Sequence, residues 1–111
     1  MAARYRLRFF FDYECTPFWS GDEATRARFD YNVDPQELPL AEETRQEINR
    51  LSAWFERSLN RDYPPDPGPW RQAECDRFNK AAETLLARCR EELGPDFDVR
   101  NEFKPLAEQT D

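Results

Sequence analysis

The residues of this 111-residue chain whose types could do chemistry are three cysteines and 23 acidic side chains, set against no histidine at all. Lacking histidine, the chain has no imidazole base, no Ser-His or Cys-His pair and no part in most zinc ligand sets. Cys15, Cys75 and Cys89 show no CxxC spacing, so no structural metal is expected, and three glycines leave little material for a phosphate-binding loop. Paired carboxylates remain: "FDYE" (11–14), "SGDE" (20–23), and Asp62 with Asp66. Each cluster falls where a solvated or helix-capping acid is expected, so a small carboxylate hydrolase ranks third among the functions considered. The three arginines that could lower the Cys15 pKa alternate onto the opposite strand face. The chain reads as a non-enzyme with no cofactor.

Binding is the chemistry that the remaining residues favour. "NRDYPPDPGPW" (60–70) sets four prolines between Tyr63 and Trp70 or beside them. Such a segment is expected to run extended, donating few backbone hydrogen bonds and losing little entropy on capture. Trp19, Asp22 and Glu23 form a second group. Together, Trp19, Asp22, Glu23, Tyr63, Asp66 and Trp70 are the candidate partner-binding surface, with rings as anchors and acids to pair with a basic partner. The competing expectation is that Tyr63 and Trp70 fold inward and cap the helices.

Positioning these residues requires a scaffold, and periodicity supplies one. In "RYRLRFFFDY" (4–13), Tyr5, Leu7, Phe9, Phe11 and Tyr13 alternate with Arg4, Arg6, Arg8 and Asp12, leaving Phe10 as the exception. That is a half-buried strand. "DFDVRNEF" (96–103) alternates too, its polar face of Asp96, Asp98, Arg100 and Glu102 mainly acidic where the first strand's is basic, so the two are expected to be neighbours. Between them, Ile48, Leu51, Phe55 and Leu59 make one helical stripe within 40–60, with Trp54 on its flank. Cys75, Phe78, Ala82, Leu85, Leu86, Cys89 and Leu93 make another from about Pro69, stopped by Gly94-Pro95. Ser20 with Glu23 has capping-box spacing ahead of a short helix over 21–28, and Asp34-Pro35-Gln36-Glu37 repeats the pattern in miniature. "FDYNV" (29–33) is a candidate third strand. The expected fold is α+β in one domain, 1–111: a small two- or three-stranded sheet with an antiparallel pair of long helices packed on one face. Either a third strand lies within 18–33, or a sheet edge pairs with another chain.

Charge and hydropathy narrow the partners. The net charge is −7 with acids and arginines interspersed, which disfavours nucleic acid and permits a basic protein. Mean hydropathy is −1.00 and no apolar run spans a membrane. The basic-then-apolar start is broken by Asp12 and Glu14, and the odd cysteine count fits free, mostly buried thiols, so a cytoplasmic protein is expected.

Three stretches, "FDYECTPFW" (11–19), "LNRDYPPDPGPW" (59–70) and "RFNKAAETLLARCREELGPDFDV" (77–99), resemble a family of small acidic actinobacterial proteins. That family carries no known chemistry to transfer. In size, acidity, aromatic content and lack of a catalytic set, the chain is similar as a class to the immunity proteins that neutralise bacterial toxins. The resemblance implies a binding protein of the immunity or inhibitor kind, acting on another protein such as a basic toxin. The alternative is a structural or regulatory subunit that homodimerises through a strand edge.

Overall fold

Alternation of Tyr5, Leu7 and Phe9 with Arg6 and Arg8 yields β1, Tyr5–Phe9, in a computed structural model that describes residues 3–58 and 70–108. Leu7 and Phe9 are buried and Phe11 continues inward, but the chain turns away after it, leaving Tyr13 43% exposed. Tyr13 therefore does not extend the buried stripe that the pattern predicts. β3, Phe97–Asn101, lies parallel to β1 with Tyr5 opposite Phe97 and Phe9 opposite Asn101, so the two alternating segments are neighbours as expected. β2, Phe18–Ser20, pairs antiparallel on the other side, giving the order β2-β1-β3.

The third strand thus falls within 18–33, at 18–20 and not at 29–33. "FDYNV" instead runs along the outer edge of β2 with one bridge, Asn32 to Trp19. Ser20 N–H donates to Tyr31 O, and Val33 N–H to Phe18 O.

The short helix is α1, Glu23–Phe29, and its cap differs from the predicted one. Asp22 is the N-cap, its Oδ1 accepting from Thr25 N at 2.9 Å, because Ser20 is still held in β2. Thr25 ties this helix to the sheet: its buried Oγ1 accepts the Arg6 N–H at 2.8 Å. The Asp34 motif does cap a single 3₁₀ turn, Pro35–Glu37.

The long helices are α2, Glu42–Glu56, and α3, Gln72–Leu93. Neither start has a side-chain cap of its own. Distant carboxylates serve instead, where the helix dipole favours negative charge. Glu92 accepts from Ala41 N and from the Thr44 hydroxyl at the start of α2. Glu108 accepts from Gln72 N at the start of α3, and the Gln72 side chain accepts the Glu108 N–H in return. With Trp54 Nε1 donating to Glu74 at the opposite end, the pair is antiparallel. Gly94 at φ 74° ends α3, a left-handed conformation that glycine adopts without strain. Leu59, Asn60 and Pro69, the predicted stripe end, stop and first helical position, lie outside the described residues.

The seven residues of the predicted α3 face are all buried. All of them except Cys75 join Leu7, Phe9 and Val99 from one face of the sheet, together with Ile48 and Leu51 of α2. Phe78 sits among the rings of Phe11, Trp54, Phe55, Trp70 and Phe103 at 5.0–6.1 Å. The fold is α+β, with a mixed three-stranded sheet and the helical pair on one face. Among the described residues, no helix is long and apolar enough to cross a membrane.

Candidate functional site

The helices cover one face of the sheet and leave the other open. Register decides what stands there: Arg8 pairs with Trp19 on one side and Arg100 on the other. Since Leu7, Phe9 and Val99 point to the core, Arg6, Arg8, Trp19, Asp98 and Arg100 belong to the open face. Phe10, the exception in the sequence pattern, joins them beyond the strand end. Its ring stacks on Trp19, centroids 4.7 Å apart and planes within 3°. The Arg8 guanidinium lies over Phe10 at 5.2 Å, and Tyr31 meets Trp19 edge-on at 5.4 Å. Trp19 Nε1 donates to Phe10 O, closing the stack.

Tyr31 is the exposed end of this stack, 49% accessible. The residue before it is held in an unusual conformation. Asp30 has φ 79° and ψ 175°, a region that costs a non-glycine residue about 1–3 kcal/mol. Three hydrogen bonds hold it there: Ser20 Oγ donates to Asp30 O, Asp30 N to Arg26 O, and Tyr31 N to Asp30 Oδ1. The backbone is thus fixed where it presents Tyr31.

Two grooves flank the Arg8–Glu102 pair. A polar one of about 420 Å³ runs over Arg6, Ser20, Gly21, Asp98 and Arg100. An apolar one of about 380 Å³ is walled by Phe10, Phe11, Phe55, Phe103 and Leu106, with Lys104 at its rim. Between them the Arg8 fork grips Glu102, Nε at 3.0 Å from both oxygens and the terminal nitrogen at 2.8 Å. The bonded carboxylate lifts the Arg8 guanidinium above its ordinary value, burial opposes this, and Tyr31 adds a smaller upward push. Glu102 is held below the usual carboxylate range by the same bond and, more weakly, by Arg100.

Of the predicted surface, Trp19, Asp22 and Glu23 lie together, at and just beyond β2. Trp19 is only 6% exposed, however, because Phe10 and Tyr31 cover it. Its ring supports the open face, and Tyr31 supplies the exposed aromatic. Asp22 is exposed, but one carboxylate oxygen already caps α1, and the Thr25 hydrogen bonds lower its pKa. Glu23 is exposed in the first turn. Trp70 is half-buried on the helical side, 5.7 Å from Trp54 and 5.5 Å from Phe78. It packs beside the helices and does not join Trp19. Tyr63 and Asp66 lie outside the described residues, as does the predicted course of the proline segment. Sequence reasoning missed Tyr31, Arg8, Arg100 and Glu102 as a group; the one available signal was Phe10, apolar on a polar strand face.

The groups considered for chemistry are placed otherwise. All three thiols are free. Burial pushes Cys89 up to about 12, and raises Cys75 and the half-buried Cys15 as well, the latter with help from Asp12 and Glu14. Every resolved carboxylate shift among the described residues is downward, at Asp22, Glu47, Glu74, Glu92 and Glu102. A general acid working near neutral pH needs the opposite. No cluster of three or more Cys, Asp or Glu residues stands ready for a metal ion among the described residues.

Residues 5–102, from the first residue of β1 to the Glu102 that answers Arg8, match the model of a family described as Serratia CdiI immunity protein-like. No curated protein matches the chain.

Proposed function

We propose, from the fact that the chain belongs to the Serratia CdiI immunity protein-like family, that it is a non-catalytic cytoplasmic immunity protein that binds a toxin protein and blocks it. The observation that carries the choice of surface is the open sheet face, where Tyr31 stands half-exposed on a prebuilt Trp19–Phe10 stack. Rigid aromatic anchors of this kind dominate binding energy because little freedom is lost when they are captured. Asp22 and Glu23 border that face, and the net charge of −7 steers a basic toxin toward it. Tyr63, Asp66 and Trp70 are proposed as further contacts for the same partner. The downward carboxylate shifts and the raised thiols among the described residues support a role in binding over one in general acid catalysis.

Homodimerisation through a strand edge has less support. Residues 31–33 occupy the outer edge of β2, and the Arg90 side chain donates twice to Val99 O on the outer edge of β3, at 2.6 and 3.1 Å. Covered edges resist added strands.

Titration calorimetry of the purified chain against candidate toxin proteins of its own host tests the proposal. Saturable binding that abolishes toxin activity is expected. Tyr31→Ala should weaken binding at least about tenfold while leaving the melting temperature in place. A wild-type chain that neither binds nor protects would end the immunity reading.

A further inference from the structure

The register of the open face contains a pairing that folding alone disfavours. Arg8 of β1 stands opposite Arg100 of β3, and like charges at paired positions are destabilising. Glu102 satisfies Arg8 with both oxygens. Arg100 is exposed, and no described residue forms an ion pair or side-chain hydrogen bond with it. Arg6, diagonal to it across the strand pair, is in the same position: its backbone is bonded, but its guanidinium has no partner among the described residues. Both guanidinium groups border the polar groove of about 420 Å³.

Surrounding charge limits what can fill that groove. Asp98 and Glu102 line it, Asp22 lies close enough to Arg6 to be influenced by it, and the chain as a whole is at −7. A polyanion such as RNA, longer than the groove, meets Asp98 and Glu102 within it and the −7 chain around it. A single carboxylate does not: a guanidinium fork takes it with two parallel hydrogen bonds in a fixed geometry. We infer that Arg100, assisted by Arg6, is a specificity-determining clamp for an aspartate or glutamate side chain of the toxin. This deepens the immunity reading and rests on it. Acids at the rim attract a basic partner over long range, while the arginine clamp demands one acid at one position. A basic protein lacking that acid is steered to the face but not retained.

The test compares Arg100→Gln, Arg100→Lys, Arg100→Glu and Arg6→Gln with the wild-type chain against the same toxin protein. Arg100→Gln is expected to lower affinity at least about tenfold and Arg100→Glu further, with Arg100→Lys in between because it keeps the charge without the fork. Melting temperature should hold in Arg100→Gln, since relief of the opposition to Arg8 offsets the lost attraction to Glu102; a fall matching the affinity loss would make Arg100 merely structural and overturn the clamp. Reversal of one toxin acid to arginine should restore binding to Arg100→Glu alone. Wild-type binding with all four variants within about twofold overturns the clamp and leaves the immunity reading standing, whereas absent wild-type binding ends both. Tight capture of a short single-stranded RNA, or a dimer in sedimentation that Arg100→Gln dissolves, would assign the groove to a different occupant and overturn the clamp as well.

Discussion

The two faces of the sheet solve different problems with the same residue types. On the covered face, Phe9, Phe11, Phe78 and Phe103 pack ring against ring beneath the helices, and Leu7 and Val99 fill between them. On the open face, Phe10, Trp19 and Tyr31 also pack ring against ring, but under arginines and with one ring left in water. Burying the first set stabilises the fold. Assembling the second leaves a strained Asp30, an opposed arginine pair and a half-exposed tyrosine. Three local choices that work against stability thus stand on the open face, which is where partner recognition is expected.

Substitutions can break this contrast. Phe78→Ala removes the ring at the centre of the covered face and should cost about 3–5 kcal/mol in urea unfolding. A loss no larger than that of Tyr31→Ala would mean that the two faces are energetically alike. Thr25→Val leaves the Arg6 N–H without its acceptor where α1 meets the sheet, and should cost about 1–3 kcal/mol by the same measurement.

Glu92 links the long helices beneath the covered face, and its effect should depend on pH. Burial pushes its carboxyl up, but the Thr44 hydroxyl, Ala41 N–H and Arg88 outweigh this and leave it below the ordinary value. A carboxylate depressed in the folded state contributes stability above its unfolded pKa of about 4.3, which is lost as pH falls through the folded value. Glu92→Gln should therefore lower stability by about 1 kcal/mol at pH 7, with the gap to wild type closing in acid. An undiminished gap in acid would place the effect in packing. The smallest change goes the other way. Ser52 Oγ of α2 is buried without a hydrogen-bond partner among the described residues, so Ser52→Ala should raise stability by up to about 1 kcal/mol, read as an upward shift in melting temperature.

How far the sequence disclosed these faces follows from the length of each pattern. The α3 stripe was legible residue by residue, because 22 residues sample the helical period many times. β1 and β3 were legible from five-residue alternation, and their adjacency from charge: Arg8 and Glu102, 94 positions apart, are bonded. β2 was hidden because three residues, all buried, show no alternation. That burial comes from the core on the Phe18 side, from Phe10 over Trp19 and from residues 31–33 along its edge, which only the tertiary fold reveals. The same edge contact turned a predicted strand into a cover for another, and moved the α1 cap from Ser20 to Asp22. Trp19, Asp22 and Glu23 could be grouped from their closeness in sequence, while Tyr31 and Arg100 come from elements that adjoin only once the sheet has formed.

The parallel pairing of β1 with β3 also governs how the molecule comes into being. During translation, the amino-terminal hairpin and both long helices leave the ribosome before the strand that completes the sheet. Contacts spanning such a distance in the chain form slowly, since loop closure precedes any compensating contact. Neither the opposed arginines nor their groove exists until β3 has joined β1, so the clamp forms after the Tyr31 stack, whose residues all lie between 10 and 31.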